Sequence, residues 1–135
     1  MILLDTNVLS EPLRQRPDAA VLSWLAVHPE AAITAITVGE LLVGVGRLPA
    51  GARRESLATA IDRAIGRADV LDYDEAAARA YARIQEQRRG AGHPLAVEDG
   101  MIAAICLAND AALATRNTRD FEGLGVELID PWEHT

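Results

Sequence analysis

The sequence predicts a single α/β domain with a central, mostly parallel sheet. Short apolar runs bounded by polar residues, such as residues 1–4 and 31–36, are typical of strands buried on both faces of a sheet. Between such runs lie longer segments in which apolar residues recur with the spacing of a helix face. Strands that alternate with helices favour crossover connections and a parallel sheet. With 135 residues, 50% of them hydrophobic, the chain can bury one substantial core.

Caps and breaks define the elements in the first half of the chain. Asp18 precedes a helical pattern that contains Val21 and Trp24, so it is a predicted helix cap. Pro17 and Pro29 stop the chain from continuing as a helix on either side. In chain order we predict a strand at 1–4, helices at 7–13 and 18–28, a strand at 31–36, a helix that starts at Thr37, a break at 48–51 and a helix that Gly66 closes.

The second half of the chain continues this alternation. Asp74 is the predicted cap of a long Ala-rich helix with Tyr81 and Ile84 on its inner face. In chain order we predict a strand at 70–71, this helix to about Arg89, a flexible stretch at 90–94, a helix at 97–108, a strand at 111–114, a polar loop or single helical turn at 115–124 and a strand at 126–129. The domain is expected to span 1–132 and to leave 133–135 as a tail.

Composition excludes several classes of protein. The net charge of -7 argues against a broad basic face for nucleic acid. All 13 basic residues are arginine, and the absence of lysine excludes P-loop nucleotidases and lysine Schiff-base catalysis. The single cysteine, Cys106, cannot form an internal disulfide and is expected in the core. No leader and no apolar run of membrane-spanning length is visible, so we expect a cytoplasmic protein without a membrane segment.

Four acidic residues occupy equivalent positions in the predicted topology. Asp5 ends the first strand, and Glu40 lies in the first turn of the helix after the second strand. Asp99 lies in the first turn of the helix after the glycine-rich stretch, and Asp120 follows the strand at 111–114. Strand ends and the starts of the following helices meet at one edge of a parallel sheet. The four carboxylates are therefore expected to converge.

Clustered carboxylates repel one another and need a cation or protonation to offset the repulsion. Because no histidine or cysteine accompanies them, the oxygen-only set favours a hard ion, Mg²⁺ or Mn²⁺, and such a site suits phosphodiester hydrolysis. Neutral side chains expected to support the pocket are Thr6, Asn7, Thr115 and Asn117. Arg116 and Arg119 flank it, either as phosphate contacts or as parts of a solvated turn.

Each acid also has a purely local interpretation. Asp5 can cap a helix, and Thr37 with Glu40 has the spacing of a capping box. Asp99 suits the first turn of a helix because of the helix dipole, and Asp120 suits a turn. Taken singly these interpretations are adequate, but they do not explain why all four acids lie at one sheet edge.

Four stretches of the chain resemble the PIN-domain ribonucleases, and in particular the VapC toxins of type II toxin–antitoxin systems. These stretches are 4–10, 37–41, 98–104 and 114–121, and the likeness runs from residue 1 to about Trp132. Each motif alone is unspecific, whereas four in this order and spacing are specific. One departure is Gly100, where alanine is common in the family, and it is expected to loosen the first turn of its helix.

The resemblance implies a Rossmann-like three-layer α/β/α PIN domain with Mg²⁺- or Mn²⁺-dependent endoribonuclease activity. By motif position, Asp5 and Asp99 would be the principal metal ligands, with Asp99 rather than Glu98 pointing inward. Glu40 and Asp120 would complete the catalytic set of acids. The resemblance further implies a homodimer, an RNA substrate (tRNA, rRNA or mRNA) and a cognate VapB-like antitoxin that inserts a segment into the acidic groove.

Two other functions remain open at this point. A catalytically inactive PIN-like module would bind RNA or protein, but the chain retains all four acids that such modules usually lack in part. A related DNA or flap nuclease would need added DNA-gripping helices, for which the chain has no room. For Arg88 and Arg89, salt pairing on a solvent face is favoured over a grip on RNA.

Overall fold

The computed structural model describes residues 1–135 and contains five strands and six α-helices. Their bounds are β1 (Ile2–Leu4), α1 (Thr6–Ser10), α2 (Ala19–Ala26), β2 (Ile33–Thr34), α3 (Ala35–Gly46), α4 (Ala52–Arg67), β3 (Val70–Leu71), α5 (Glu75–Ala91), α6 (Val97–Ala108), β4 (Ala112–Ala114) and β5 (Leu128–Ile129). Short 3-10 turns lie at Glu11–Leu13, Thr118–Phe121 and Pro131–Glu133. No helix combines the length and the apolar character needed to cross a membrane.

The strands form a parallel sheet with β1 at its centre. β1 pairs with β4, which pairs with β5, and β2 pairs with β3, all in parallel. A bridge between Leu3 and Ala32 joins the two groups, with Leu4 N donating to Ala32 O at 2.8 Å. The order across the sheet is therefore β3-β2-β1-β4-β5, and the predicted parallel α/β class is confirmed.

Helices cover both faces of this sheet. Successive residues of a strand point to opposite faces. Leu3 packs in a core cluster with Ile102 of α6, whereas Leu4 packs in a second cluster with Val8 of α1 and Trp24 of α2. Burial of each of these side chains stabilises the folded state by about 2 kcal/mol, because it removes apolar surface from water. The result is the predicted three-layer α/β/α arrangement.

The start of α3 differs from the prediction. The strand predicted at 31–36 is only two residues long, because Thr34, its last residue, also caps the helix that follows. Its hydroxyl oxygen accepts a hydrogen bond from the main-chain N–H of Thr37 at 3.1 Å. The helix therefore begins at Ala35, and Glu40 lies in its second turn rather than its first. The interpretation of Thr37 and Glu40 as a capping box is therefore wrong, because Thr34 is the cap.

Helix α5 is longer than predicted. It passes the expected end at Arg89 and continues to Ala91, where Gly92 adopts a left-handed φ of 69° and its N–H donates to the carbonyls of Arg88 and Arg89. Glycine takes this conformation without strain and satisfies the last free carbonyls of the helix. The predicted caps Asp18 and Asp74 are confirmed.

Gly100 has a packing role that the sequence does not reveal. It is buried in the first turn of α6, and the Tyr81 ring of α5 lies against it. A Cβ added at this position would lie 2.9 Å from Cε1 of Tyr81, which is too close for real Cβ contacts. Gly100 therefore allows α5 and α6 to approach each other, which is a different effect from the expected loosening of the helix.

Replacing Gly100 with alanine is expected to destabilise the fold by about 1 kcal/mol. The overpacking cost of roughly 1–3 kcal/mol exceeds the gain of up to about 1 kcal/mol in helix propensity. In a Tyr81→Ala background the clash is gone, so Gly100→Ala should be neutral or stabilising. Urea unfolding of the four proteins measures both effects. Equal destabilisation in the two backgrounds would show that the Tyr81 contact is not the cause.

Candidate active site

Asp5 lies where β1 ends at the carboxyl edge of the sheet. It is 5% exposed, and its carboxylate accepts three hydrogen bonds. The main-chain N–H of Thr6 donates to Oδ1 at 2.9 Å, so Asp5 does cap α1, as its local interpretation predicted. Thr115 Oγ1 donates to Oδ2 at 2.7 Å, and Asn7 Nδ2 donates to the same atom at 3.3 Å. These bonds fix the carboxylate, and capping accounts for only one of them.

Glu40 is tied to Asp5 through Thr6. The Thr6 hydroxyl donates to Glu40 Oε1 at 2.6 Å. Thr37 Oγ1 lies 3.2 Å from Thr6 Oγ1 and is fully buried. Sequence reasoning assigned Thr37 to a cap and missed this role. Its spacing of three residues from Glu40 places both on one helix face, but a capping box has the same spacing, so the sequence alone does not distinguish the two roles.

Asp99 is half-buried in the first turn of α6, and Glu98 beside it is exposed. Burial makes the largest contribution to raising the pKa of Asp99 from 3.8 to about 6. The nearby charges of Asp5, Asp120, Glu40 and Glu98 supply the rest, in that order. Burial also raises the pKa of Asp5, in part offset by its hydrogen bonds, and Asp120 adds a small upward contribution. The structure therefore brings all four predicted acids close enough to repel one another.

Asp120 lies in the 3-10 turn after β4, with its side chain exposed. Together with Asp99 and Arg119 it lines a groove of about 550 Å³. Arg88 of α5 lines the same groove and donates from Nη2 to the carbonyls of Asp120 and Glu122, each at 2.9 Å. Arg88 and Arg89 form no ion pair, so the predicted salt pairing on a solvent face is wrong.

The neutral residues divide into two groups. Thr6, Asn7 and Thr115 contact the acids directly through their side chains. Asn117 acts through its main chain, since its N–H donates to Thr115 Oγ1 at 3.1 Å. In this way Asn117 supports the hydroxyl group that holds Asp5, and its own side chain remains exposed.

The two candidate arginines lie in different places. Arg119 lines the groove with Asp99 and Asp120. The guanidinium of Arg116 instead lies over the Trp132 ring, 5.1 Å from its centroid, and the main-chain N–H of Arg116 donates to Asn7 Oδ1 at 3.3 Å. Arg119 therefore lies in the groove beside two of the acids, whereas Arg116 is held against an aromatic ring.

The donor set fits a hard divalent ion. No three His, Cys, Asp or Glu side chains lie close enough together to enclose an ion without other ligands. Mg²⁺ does not need such an enclosure, because it is usually held by one or two carboxylates and keeps several water molecules. Asp5 and Asp99 carry carboxylate oxygens, which are of the kind that Mg²⁺ prefers, and a bound cation would relieve their mutual repulsion.

Comparison with known proteins identifies the class to which this fold and site belong. The family model described as PIN domain matches residues 2–126. The chain therefore belongs to the PIN-domain family. Within that family it groups with the VapC-type toxins. It is 39% identical to the VapC ribonuclease Y4jK of Sinorhizobium fredii, covering 98% of this chain and 99% of that protein.

Two further similarities extend over the whole chain. The plasmid stability protein StbB of Pseudomonas syringae pv. tomato is 41% identical, covering 98% of this chain and 99% of the relative. The crystal structure of FitAcB from Neisseria gonorrhoeae superimposes with a TM-score of 0.89 at 38% identity, covering 98% of this chain and 99% of that one. The same fold is thus found in a solved structure.

Proposed function

We propose that this protein is the toxin of a type II toxin–antitoxin system and acts as a divalent-metal-dependent endoribonuclease. The observation that carries the proposal is the convergence of Asp5, Glu40, Asp99 and Asp120 at one sheet edge, where the other acids raise the pKa of Asp99. A site with this much unneutralised negative charge suits a cation better than a free acid–base pair. The similarity to proteins named as VapC ribonucleases supports RNA as the substrate.

We assign Asp5 and Asp99 as the residues that hold Mg²⁺ or Mn²⁺, with Glu40 and Asp120 completing the catalytic acids. A divalent ion at such a site lowers the pKa of a bound water and polarises the phosphate. The protein groups around it perform the positioning. Thr115 and the Thr6 main chain hold the Asp5 carboxylate.

The RNA backbone would be contacted on the open side of this site. Arg119 lies in the groove beside Asp120 and can donate two parallel hydrogen bonds to a phosphate. Arg116, fixed on Trp132, offers a second cation next to the Asp5 site. Because the chain is acidic overall, these local cations would supply the attraction for RNA that the net charge does not.

The partner would be a VapB-like antitoxin that masks the acidic groove, and the active form would be a homodimer. Solved relatives support the antitoxin, since one is described as FitAB bound to a DNA fragment and another as DNA-bound VapBC from Salmonella typhimurium. An acidic groove favours a basic segment from the partner by charge complementarity. An enzyme that degrades cellular RNA would act in the cytoplasm.

Inducible expression in a bacterial host tests the proposed function. We expect the wild-type chain to arrest growth and to cause loss of intact RNA, because catalysis would run without a neutralising partner. The Asp5→Asn/Asp99→Asn double variant should permit normal growth at equal protein level. If both proteins arrested growth equally while RNA stayed intact, the chain would act as a binding module and not as a nuclease.

Competition between substrates tests the choice of nucleic acid. Purified protein with Mg²⁺ should cleave RNA at a rate that single-stranded DNA of the same sequence does not reduce. If single-stranded DNA were cleaved faster than RNA, the related DNA-nuclease function would replace the proposed one.

A further inference from the structure

We infer that Arg88 is a positioning residue that holds Asp120 in place for ligand binding at the acidic edge. The inference rests on the proposed function, because it treats Asp120 as a member of the nuclease site. Arg88 lies near the end of α5, more than thirty residues from the loop that it contacts. It is half-buried, whereas the neighbouring Arg89 is exposed.

The contact fixes the backbone on both sides of Asp120. One Nη2 group of Arg88 donates to the carbonyls of Asp120 and Glu122, each at 2.9 Å. The main-chain N–H of Asp120 donates to Asn117 O at 3.0 Å. Both polar groups of the Asp120 peptide backbone are therefore bonded within the protein, and the carboxylate alone is left without a hydrogen-bond partner.

The rest of the loop is held by the same helix and by the core. Gln87 Nε2 donates to Gly123 O at 2.6 Å. The side chain of Phe121, between the two residues that Arg88 contacts, is 1% exposed and belongs to the main core cluster. Gly123 closes the turn with a left-handed φ of 80°. A backbone fixed this way needs no further ordering when the Asp120 carboxylate binds a ligand, which removes the loop's part of the entropic cost of binding.

The choice of arginine at this position follows from its geometry. The Nη2 amino group of the guanidinium carries two N–H donors, so this one group can reach two carbonyls at once. Arg88 has no carboxylate partner of its own, and its charge lies in the same groove as Asp99 and Asp120. Since supporting groups of a metal site usually change affinity or activity by about 10–100-fold, the loss of Arg88 should be measurable.

The test measures Mn²⁺ binding directly by electron paramagnetic resonance of the free ion, together with the rate of RNA cleavage. Arg88→Met, which keeps the length but loses the donors, should weaken Mn²⁺ binding and lower kcat by about 10-fold or more. Arg88→Lys should restore part of both values. Arg89→Met, the exposed neighbour on the same helix, is the matched control and should behave as wild type.

A double-mutant cycle separates positioning from general support of the fold. In an Asp120→Asn background the carboxylate is absent, so adding Arg88→Met should change Mn²⁺ affinity and kcat less than about 2-fold. An equal loss with and without Asp120 would overturn the inference. So would a rise in KM that depends on salt while Mn²⁺ affinity stays constant, because that result identifies Arg88 as a phosphate contact.

Two further outcomes keep the inference separate from the proposed function. If the wild-type chain cleaved no RNA but bound Mn²⁺, and bound it more weakly in the Arg88→Met variant, the nuclease proposal would fail and the positioning role would stand. A wild-type chain that bound no Mn²⁺ would overturn the positioning role.

If Arg88→Met did not fold, as judged by thermal unfolding, Arg88→Lys and Gln87→Leu would carry the test. Each is expected to weaken Mn²⁺ binding and lower kcat by less than Arg88→Met does.

Discussion

Replacing Asp5 with asparagine is expected to reduce metal-dependent RNA cleavage by about 1,000-fold. The change removes a negative charge from a nearly buried position at the centre of the acidic edge. A bound ion contributes several kcal/mol to stabilising the charge of the transition state, and about 1.4 kcal/mol corresponds to a factor of ten in rate. Asparagine has the same shape and still offers an oxygen to the Thr6 N–H, so the cap of α1 should persist.

The matched control is Asp74→Asn. Asp74 caps α5 by accepting a hydrogen bond from the Ala77 N–H at 2.9 Å, and it takes no part in the acidic edge. It makes the same kind of contact as Asp5 without the proposed catalytic role. Single-turnover cleavage rates for the two variants should therefore differ by about 1,000-fold. If Asp5→Asn kept more than a tenth of wild-type activity, Asp5 would be a structural cap and not a metal ligand.

Replacing Asp99 with asparagine is expected to have opposite effects on activity and stability. Cleavage should fall by at least about 100-fold, since a proposed ligand is lost. In the presence of EDTA, however, the free energy of unfolding of the variant at neutral pH should exceed that of wild type by about 1–2 kcal/mol. The charged form of Asp99 is disfavoured by burial and by neighbouring carboxylates, which raise its pKa to about 6. Asparagine removes that penalty.

The sign of the pH dependence follows from the raised pKa. Between about pH 4 and pH 6, the folded protein binds the Asp99 proton more tightly than the unfolded chain does. The resulting stability is present below that window and is lost as the pH rises through about 6. Raising the pKa of Asp99 from 3.8 to about 6 would correspond to about 3 kcal/mol in the free energy of unfolding, and half-exposure to solvent reduces this to about 1–2 kcal/mol.

Urea unfolding at pH 5 and pH 7.5 in EDTA measures this effect. Wild type should lose about 0.5–1 kcal/mol more than Asp99→Asn when the pH is raised, because pH 5 lies in the middle of the window and only about half of the effect falls above it. Glu98→Gln is the charge-matched control, because Glu98 is the exposed neighbour of Asp99 on the same turn and should retain most of the wild-type pH dependence. Parallel pH profiles for wild type and Asp99→Asn would show that Asp99 does not carry an electrostatic penalty.

The sequence predicts the sheet edge well because strand ends and helix starts leave local signals. Asp5 directly follows an apolar run, and Asp99 lies in the first turn of an apolar helix, so topology alone places them together. The start of α3 was predicted wrongly because Thr34 and Thr37 both have the chemistry of a cap. Only the packing of Thr37 against Thr6 decides between them.

Contacts between distant helices and loops leave no comparable signal. Arg88 is one of several arginines on α5, and its bonds reach a loop more than thirty residues away. Gly100 is a small residue in a helix, and only the position of the Tyr81 ring shows why a side chain is excluded there. Residues of this kind act by tertiary contact, so neither helical periodicity nor capping patterns identify them.

The most direct test is cleavage of RNA by the purified chain with Mg²⁺, with Mn²⁺ and with EDTA, beside the Asp5→Asn variant at the same concentration. We expect the wild type to cleave with either ion, to lose activity in EDTA and to regain it when Mg²⁺ is added back. The variant should give no product above background. Identical products in EDTA, or from wild type and variant alike, would contradict a metal-dependent nuclease site at the end of β1.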